Sequence, residues 1–125
     1  YSIEELAVHI SDELQTFLPI DICILGMGLD MHTASIFSDA DRLNDALDLK
    51  TSDILIPMRS SSINETRLTL TARVLRETSS LHLLLTGRDK KAALDFALKS
   101  KDSWDVAPVR AVLFRDTELK IHYAN

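Results

Sequence analysis

A short apolar run that ends at two closely spaced glycines is the feature that most constrains the fold of this chain. Residues 22–25, Ile-Cys-Ile-Leu, are continuously apolar, as is typical of a strand in a parallel sheet. The run is followed at once by Gly26-Met-Gly28, although the chain has only three glycines. Open parallel sheets bind ligands at the carboxyl ends of their strands, and glycine lets the backbone approach a ligand closely. The segment therefore predicts a strand that ends in a ligand-binding turn.

The rest of the chain alternates between helical and strand-like patterns. Ser2 and Glu5 form a capping box, which predicts a helix over residues 3–17 with apolar residues at helical spacing. Strand-like segments lie at 21–25, 53–58, 67–71, 81–86 and 119–123, and helical segments at 33–37, up to residue 77, and at 90–98; residues 108–114 fit either a helix or a strand. This alternation predicts an α/β fold with a mostly parallel sheet and flanking helices, in one domain of residues 1–125.

Composition and charge argue against several classes of protein. The net charge of −5 argues against a nucleic-acid-binding protein, which needs a basic face. No apolar stretch approaches the length of a membrane span, and no signal sequence opens the chain, so we expect a soluble, cytoplasmic protein without membrane contacts. The chain begins at Tyr1 within a helix pattern, which suggests a fragment of a longer protein.

The single cysteine and the four histidines do not show the spacing of metal ligands, so we expect no metal. Cys23 lies in an apolar run and is predicted to pack as a small hydrophobic residue. The remaining rings and cations are expected to be structural or exposed: His9, Arg88 and Lys91 on helix surfaces, His82 and His122 within strands, and Trp104 as the anchor of a polar loop.

Asp30 and His32 are the residues of the glycine turn that could carry chemistry. An imidazole titrates near neutrality, and a neighbouring carboxylate can set its tautomer and raise its basicity, a combination that suits proton transfer. The structural alternative is that Asp30 caps a short helix near Thr33 while His32 only packs. A dinucleotide-binding turn is disfavoured because Met31 occupies the position of its third glycine.

Three segments resemble the 6-phosphogluconolactonase family, in the family's own order. Residues 23–37, CILGMGLDMHTASIF, resemble its signature L-G-M-G-x-D-G-H-T-A-S-[LI]-F-P. Residues 67–71, RLTLT, resemble its R-[IV]-T-L-T segment, and residues 83–92, LLLTGRDKKA, resemble its strand–T-G-x-x-K-x-A segment. Met31 stands where the family commonly has Gly, and Ser38 where it commonly has Pro. If residue 31 adopts a positive φ, Met costs roughly 1 kcal/mol there.

The resemblance covers about residue 21 to the C-terminus and implies a Rossmann-like α/β domain of which this chain is the C-terminal half. The family's N-terminal half, with its phosphate loop and an active-site Arg, does not appear in the chain. The implied activity is hydrolysis of 6-phospho-D-glucono-1,5-lactone to 6-phosphogluconate, in the pentose phosphate pathway, without a cofactor. The implied partner is a phosphorylated sugar lactone; the oligomeric state is not predicted.

The resemblance also implies a set of site residues. His32 matches the general base that activates water, and Asp30 the residue that orients it. Lys90 matches a partner of the 6-phosphate, and Arg67 is either a second phosphate partner or part of a structural salt bridge. The implied contacts to substrate oxygens come from Gly26, Gly28 and Thr33, the last at the start of the predicted short helix.

Two alternatives to the lactonase remain. The related glucosamine-6-phosphate isomerase/deaminase signature, G-x-D-G-H-I-A-F-N-E-P, carries a Glu shortly after the His, whereas residues 33–38 contain no Asn-Glu pair. The other alternative is a non-catalytic half-domain, either one that binds sugar phosphates or a structural fragment with an exposed apolar face.

Overall fold

Five helices and five strands form the chain, and a computed structural model describes all of residues 1–125. In chain order they are α1 (Ile3–Leu14), β1 (Ile22–Leu25), α2 (Leu43–Leu47), β2 (Leu55–Met58), β3 (Arg67–Leu70), α3 (Ala72–Arg76), β4 (Ser80–Thr86), α4 (Arg88–Ala97), α5 (Arg110–Leu113) and β5 (Leu119–Ala124). A 3-10 turn, Gln15–Phe17, continues α1. The predicted helix over 3–17 is therefore confirmed, and so is its capping box, in which the Ser2 hydroxyl accepts from the Glu5 backbone N–H at 3.1 Å.

The main sheet has three parallel strands in the order β1-β4-β5, with β4 at the centre. Leu83 of β4 pairs with Leu25 on one side and with Ile121 on the other. The other two strands, β2 and β3, form a separate antiparallel pair. Pro57 lies in β2, where an edge strand tolerates it. The predicted α/β fold with a parallel sheet is confirmed.

The core lies on one face of the main sheet. Leu81, Leu83 and Leu85 of β4 point to this face and are buried. On the opposite face the apolar side chains remain open: Ile22, Ile24 and Leu84 are 66%, 64% and 48% exposed. Because the side chains of a strand alternate between faces, one strand thus presents a packed face and a bare one.

The predicted helix over 33–37 is wrong. The segment forms a tight turn, in which the Ile36 N–H donates to the Thr33 carbonyl at 3.0 Å and Ala34 has a φ of 50°. Ile36 and Phe37 are almost fully buried. Ile36 and Phe37 lie three and four residues after Thr33, which is also the spacing of buried positions on a helix. Here the spacing arises because a tight turn directs all three residues into the core. The short helix α2 was not predicted.

Several side chains take the structural roles predicted for them. His9 is exposed on α1, and Trp104 packs against the core with the Arg76 guanidinium 5.1 Å from its ring centroid. His82 and His122 lie on the bare face, with their rings 2.9 Å apart between Nδ1 and Nε2. Cys23 is half-buried, and this burial raises the pKa of its thiol.

No three His, Cys, Asp or Glu side chains lie together in the way that a metal site requires. The helices are also too short or too polar for any of them to cross a bilayer.

A buried arginine closes the carboxyl end of α4. The Arg110 side chain is 4% exposed, and its guanidinium donates to the carbonyl oxygens of Ala97 at 2.9 Å, Asp102 at 3.0 Å and Ser103 at 3.2 Å. The last carbonyls of a helix have no partner within the helix, so this side chain supplies one and ties the following loop to α4.

Replacing Arg110 by Met should lower the free energy of unfolding by about 2–3 kcal/mol, because Met fills the volume but leaves buried carbonyls unpaired. Urea denaturation of the native-length protein that carries this chain measures the change. Arg88→Met is the matched control, since Arg88 is exposed and forms no hydrogen bond or ion pair with another side chain. Equal effects of the two substitutions would contradict the structural role of Arg110.

Candidate active site

The predicted site residues meet at the carboxyl ends of β1 and β4. Gly26 follows β1 directly, and Gly87 joins β4 to α4. Two adjoining cavities, of about 420 and 470 Å³, share Gly28, His32 and Lys90 in their walls. We refer to the two cavities together as the His32 site. Its position is the one at which open parallel sheets bind ligands.

His32 and Asp30 form a close pair within this site. The His32 Nδ1 lies 2.5 Å from the Asp30 Oδ1, and the His32 backbone N–H donates to the same oxygen at 3.1 Å. An ionised carboxylate accepts, so the proton of the neutral ring is assigned to Nδ1. Nε2 makes no hydrogen bond within the chain and is left as a proton acceptor. The imidazole is partly exposed, at 28%, and is thus accessible to a ligand.

Gly28 is required by the close approach of this pair. A Cβ on Gly28 would overlap the His32 imidazole and the Asp30 carboxylate. The Gly28 N–H donates to the His32 carbonyl at 3.1 Å, so it is used within the turn rather than turned towards a ligand. Gly26 differs, because a Cβ there would meet no atom within 4 Å. Of the two glycines predicted to contact substrate through their backbone, Gly26 is therefore the one with open space beside it.

Thr33 lies behind the site rather than in its wall. Its side chain is 1% exposed, and its hydroxyl donates to the Gly26 carbonyl at 2.8 Å. The predicted helix start at Thr33 is absent, whereas the contact of this turn with substrate oxygens stays a prediction. The hydroxyl instead fixes the backbone at the end of β1.

Phe37, which the sequence reasoning did not identify, connects two of the predicted residues. Its buried ring lies 4.4 Å from the His32 ring, centroid to centroid, and the Arg67 guanidinium lies 5.6 Å from the Phe37 centroid. Arg67 also pairs with Glu65, Nη2 to Oε1, at 2.9 Å. Arg67 thus lines the site and forms a salt bridge, and its contact with a phosphate stays a prediction. The one sequence signal for Phe37 is that an aromatic residue closes the segment that resembles the family signature.

Lys90 is the cation of the site without an acidic partner. It lies in the first turn of α4, after Gly87 with a φ of 94°, and forms no ion pair. The neighbouring Lys91 instead pairs with Asp95 at 2.9 Å, as expected of a helix-surface charge. Lys90 and the free N–H groups of the first turn both favour an anion here.

The far wall of the site is a serine loop held by a carboxylate. Ser62 lines the larger cavity, and Asp39 accepts hydrogen bonds from the hydroxyls of Ser60, Ser61 and Ser62, at 2.5, 3.1 and 3.3 Å. The Ser60 hydroxyl, with the other two, holds the pKa of Asp39 below its ordinary value of 3.8. The sequence gives no sign of this anchor, because the contact joins segments about 20 residues apart.

Met31 adopts the left-handed conformation considered from the sequence. Its φ is 68°, and its side chain packs against the core, while its carbonyl accepts from the Val109 N–H at 3.0 Å. The packing of the side chain and the hydrogen bond to the carbonyl thus hold the backbone in this conformation, although a Cβ at a positive φ is sterically unfavourable.

Comparing Met31→Gly with Met31→Ala isolates this cost. Both substitutions remove the packed side chain, but only Ala keeps a Cβ at a positive φ. We therefore expect the Gly variant to be more stable than the Ala variant by up to about 1 kcal/mol, measured by urea denaturation. An Ala variant that is clearly the more stable of the two would show that the turn does not hold residue 31 in this conformation.

Comparisons with known proteins agree on one family. The family model for glucosamine-6-phosphate isomerases/6-phosphogluconolactonase matches residues 2–121. A 6-phosphogluconolactonase of Pseudomonas aeruginosa is 40% identical over 119 residues, which is 95% of this chain and 48% of that protein. One of Mesorhizobium japonicum is 41% identical over 95 residues, 76% of this chain and 39% of that protein.

A solved structure gives the same result for the fold. The crystal structure of a 6-phosphogluconolactonase from Shewanella baltica matches with a TM-score of 0.90 and 29% identity, over 100% of this chain and 54% of that one. The chain spans about half the length of the curated relatives it matches. With its sequence, its fold and its parallel sheet in agreement, the chain belongs to the glucosamine-6-phosphate isomerase/6-phosphogluconolactonase family.

Proposed function

We propose that this chain supplies the proton-transfer part of a 6-phosphogluconolactonase, which hydrolyses 6-phospho-D-glucono-1,5-lactone to 6-phosphogluconate in the cytoplasmic pentose phosphate pathway. The observation that carries the proposal is the His32–Asp30 pair, which shares its cavity with the unpaired cation Lys90. The 6-phosphogluconolactonases among its relatives support the same chemistry.

In the proposed reaction His32 acts as the general base. Its Nε2 takes a proton from water while the water oxygen attacks the lactone carbonyl carbon. Asp30 stabilises the imidazolium that forms and keeps the ring oriented. When the tetrahedral intermediate collapses, the bond from the carbonyl carbon to the ring oxygen breaks, and the imidazolium returns its proton to that oxygen. One water is consumed, and the carboxylic acid product then ionises.

The substrate phosphate is assigned to the cations of the site. Lys90 is available as it stands, and it lies where the first turn of α4 offers backbone N–H groups to an anion. Arg67 already donates to Glu65 through Nε and Nη2, so its charge is partly balanced and Nη1 is the nitrogen left for a phosphate. Lys90 is therefore the principal phosphate partner within this chain, and Arg67 is a secondary one.

We also propose that the chain is the C-terminal half of a larger domain. The half-length coverage of the relatives supports this, and so does the bare face of the main sheet, where Ile22 and Ile24 lie open. In this arrangement a complete substrate site includes residues from outside the chain.

The deaminase alternative lacks support at the site. The proposed deaminase chemistry requires a Glu shortly after the His, and residues 33–38 contain no carboxylate within this turn. The one carboxylate paired with His32 precedes it, at Asp30. This arrangement favours hydrolysis of a lactone.

Replacing His32 by Ala should lower kcat for the lactone about 10²–10⁴-fold, because the water then loses its base. The measurement is lactone hydrolysis by the native-length protein, with the spontaneous opening of the lactone subtracted. His9→Ala, an exposed histidine on α1, is the matched control and should leave kcat unchanged. The proposal fails if His32→Ala hydrolyses the lactone as fast as the control while it still binds 6-phosphogluconate.

Replacing Lys90 by Met should raise KM about tenfold or more and change kcat little, because the phosphate contact is equally present in substrate and transition state. Lys91→Met is the matched control, since the adjacent side chain is occupied by Asp95. Steady-state kinetics of both variants measure the split. A loss in kcat alone would assign Lys90 to the chemical step instead of to the phosphate.

A further inference from the structure

The serine loop is the connection between β2 and β3, and it forms one wall of the His32 site. The pairing of Met58 with Arg67 fixes the two ends of the loop, which comprises residues 59–66. It is longer than the roughly two to five residues that usually join the strands of a hairpin. Ser62 and Ile63 of the loop line the larger cavity, which His32 also lines. The shape of this cavity therefore depends on where the loop lies.

Most of the serine loop is held by one side chain. None of residues 60–66 is buried. Their hydrogen bonds to parts of the chain outside the hairpin all go to the Asp39 carboxylate, which accepts from the hydroxyls of Ser60, Ser61 and Ser62. Segments with few buried contacts open at little cost in free energy. The position of residues 60–66 thus depends chiefly on Asp39.

The base of the serine loop is fastened separately. The Arg59 N–H donates to the Asp41 Oδ1 at 2.9 Å, and the Asp41 N–H donates to the Arg59 carbonyl at 2.9 Å. The Arg59 guanidinium also pairs with Glu4 of α1, Nη2 to Oε1, at 2.7 Å. These contacts do not involve Asp39. A change at Asp39 should therefore release the tip of the loop and leave its base and the hairpin in place.

An ionised carboxylate is well suited to hold three hydroxyls. It only accepts hydrogen bonds, and its two oxygens have room for several donors. Hydrogen bonds to an ionised acceptor are also stronger than those between neutral groups. The Ser60 hydroxyl, followed by those of Ser61 and Ser62, lowers the pKa of Asp39, so the carboxylate is ionised at neutral pH. An amide of the same size has one acceptor oxygen and no charge.

Asp39 is also close in sequence to a residue that supports His32. Phe37, two residues earlier, is buried, and its ring centroid lies 4.4 Å from that of the His32 imidazole. The segment 37–39 thus contacts the imidazole through its first residue and the serine loop through its last. The position of this wall relative to His32 is therefore set by one short piece of backbone, which is anchored in the core at Phe37.

We propose that Asp39 is a positioning residue of the His32 site, which holds the serine loop in place as a wall before the substrate arrives. This inference rests on the proposed function, since the ligand concerned is the phosphorylated lactone. Asp39 does not line the cavity itself and acts through Ser62 and Ile63. A wall that is ordered in advance does not have to be ordered at the expense of binding energy.

The first test is ligand binding by the native-length protein with Asp39→Asn. The dissociation constant for 6-phosphogluconate and the KM for the lactone should both rise about five- to tenfold, because binding must now order the loop. The kcat value and its pH dependence should stay close to those of the parent, because the His32–Asp30 pair is unchanged. Asp12→Asn is the matched control, since Asp12 is exposed on α1 and its side chain has no partner.

The second test needs no ligand. Trypsin cleaves after Arg59 only if residues 60–62 extend into the protease, so this cleavage reports release of the serine loop. The rate, followed by the mass of the fragments, should be higher for Asp39→Asn than for Asp12→Asn. Ser61→Ala should give an intermediate rate, because the Ser61 hydroxyl donates only to Asp39. Ser61→Ala also provides both tests if Asp39→Asn does not fold.

The proposal is overturned if Asp39→Asn and Asp12→Asn are cleaved at the same rate. It is also overturned if cleavage is faster but the affinity for 6-phosphogluconate is unchanged, because the loop would then not contribute to binding. A fall in kcat with an altered pH profile would assign Asp39 to the chemical step instead. A parent protein that does not hydrolyse the lactone would contradict the proposed function, whereas the comparison of cleavage rates would keep its meaning.

Discussion

Burial of one face of β4 is the constraint on which the rest of the structure depends. β4 has a neighbour on each side, and its three inward leucines, Leu81, Leu83 and Leu85, lie in the core. A slip of one residue would turn His82 and Leu84 into the core and the leucines outward, so the register is strongly fixed. That register also sets where β1 ends relative to α4, and hence brings Gly26 and Lys90 into the wall of one cavity.

The geometry of the His32 site is built by a buried turn rather than by a helix end. Thr33 fastens the turn to the carbonyl of Gly26, and Ile36 and Phe37 anchor it in the core. The Phe37 ring then lies against the His32 imidazole. Because the ring is supported by packing on one side and by Asp30 on the other, its orientation is determined before a ligand arrives, which is an advantage for proton transfer.

The sequence predicts best what local chemistry decides. The capping box at Ser2 and the apolar run of β1 identify their elements because each signal lies within a few consecutive residues: two capping hydrogen bonds in one case, and strand propensity in the other. The turn at 33–37 was mistaken for a helix because three buried positions have helical spacing, while the positive φ of Ala34 depends on tertiary contacts. The anchor at Asp39 could not be predicted for a related reason: its serine partners are distant in sequence, and no periodic pattern connects them.

The two glycines of the turn after β1 have opposite surroundings. Gly28 is closely packed by other residues of the chain, and Gly26 borders open space. At Gly28 a side chain would collide with the imidazole, whereas at Gly26 it would enter open space. Selection for a folded turn with its His32–Asp30 pair is therefore enough to retain Gly28. The same selection gives no reason to retain Gly26. If Gly26 is retained while the rest of the sequence changes, the constraint on it comes from the atoms that fill this space in the complete domain, either those of a ligand or those of the residues outside this chain.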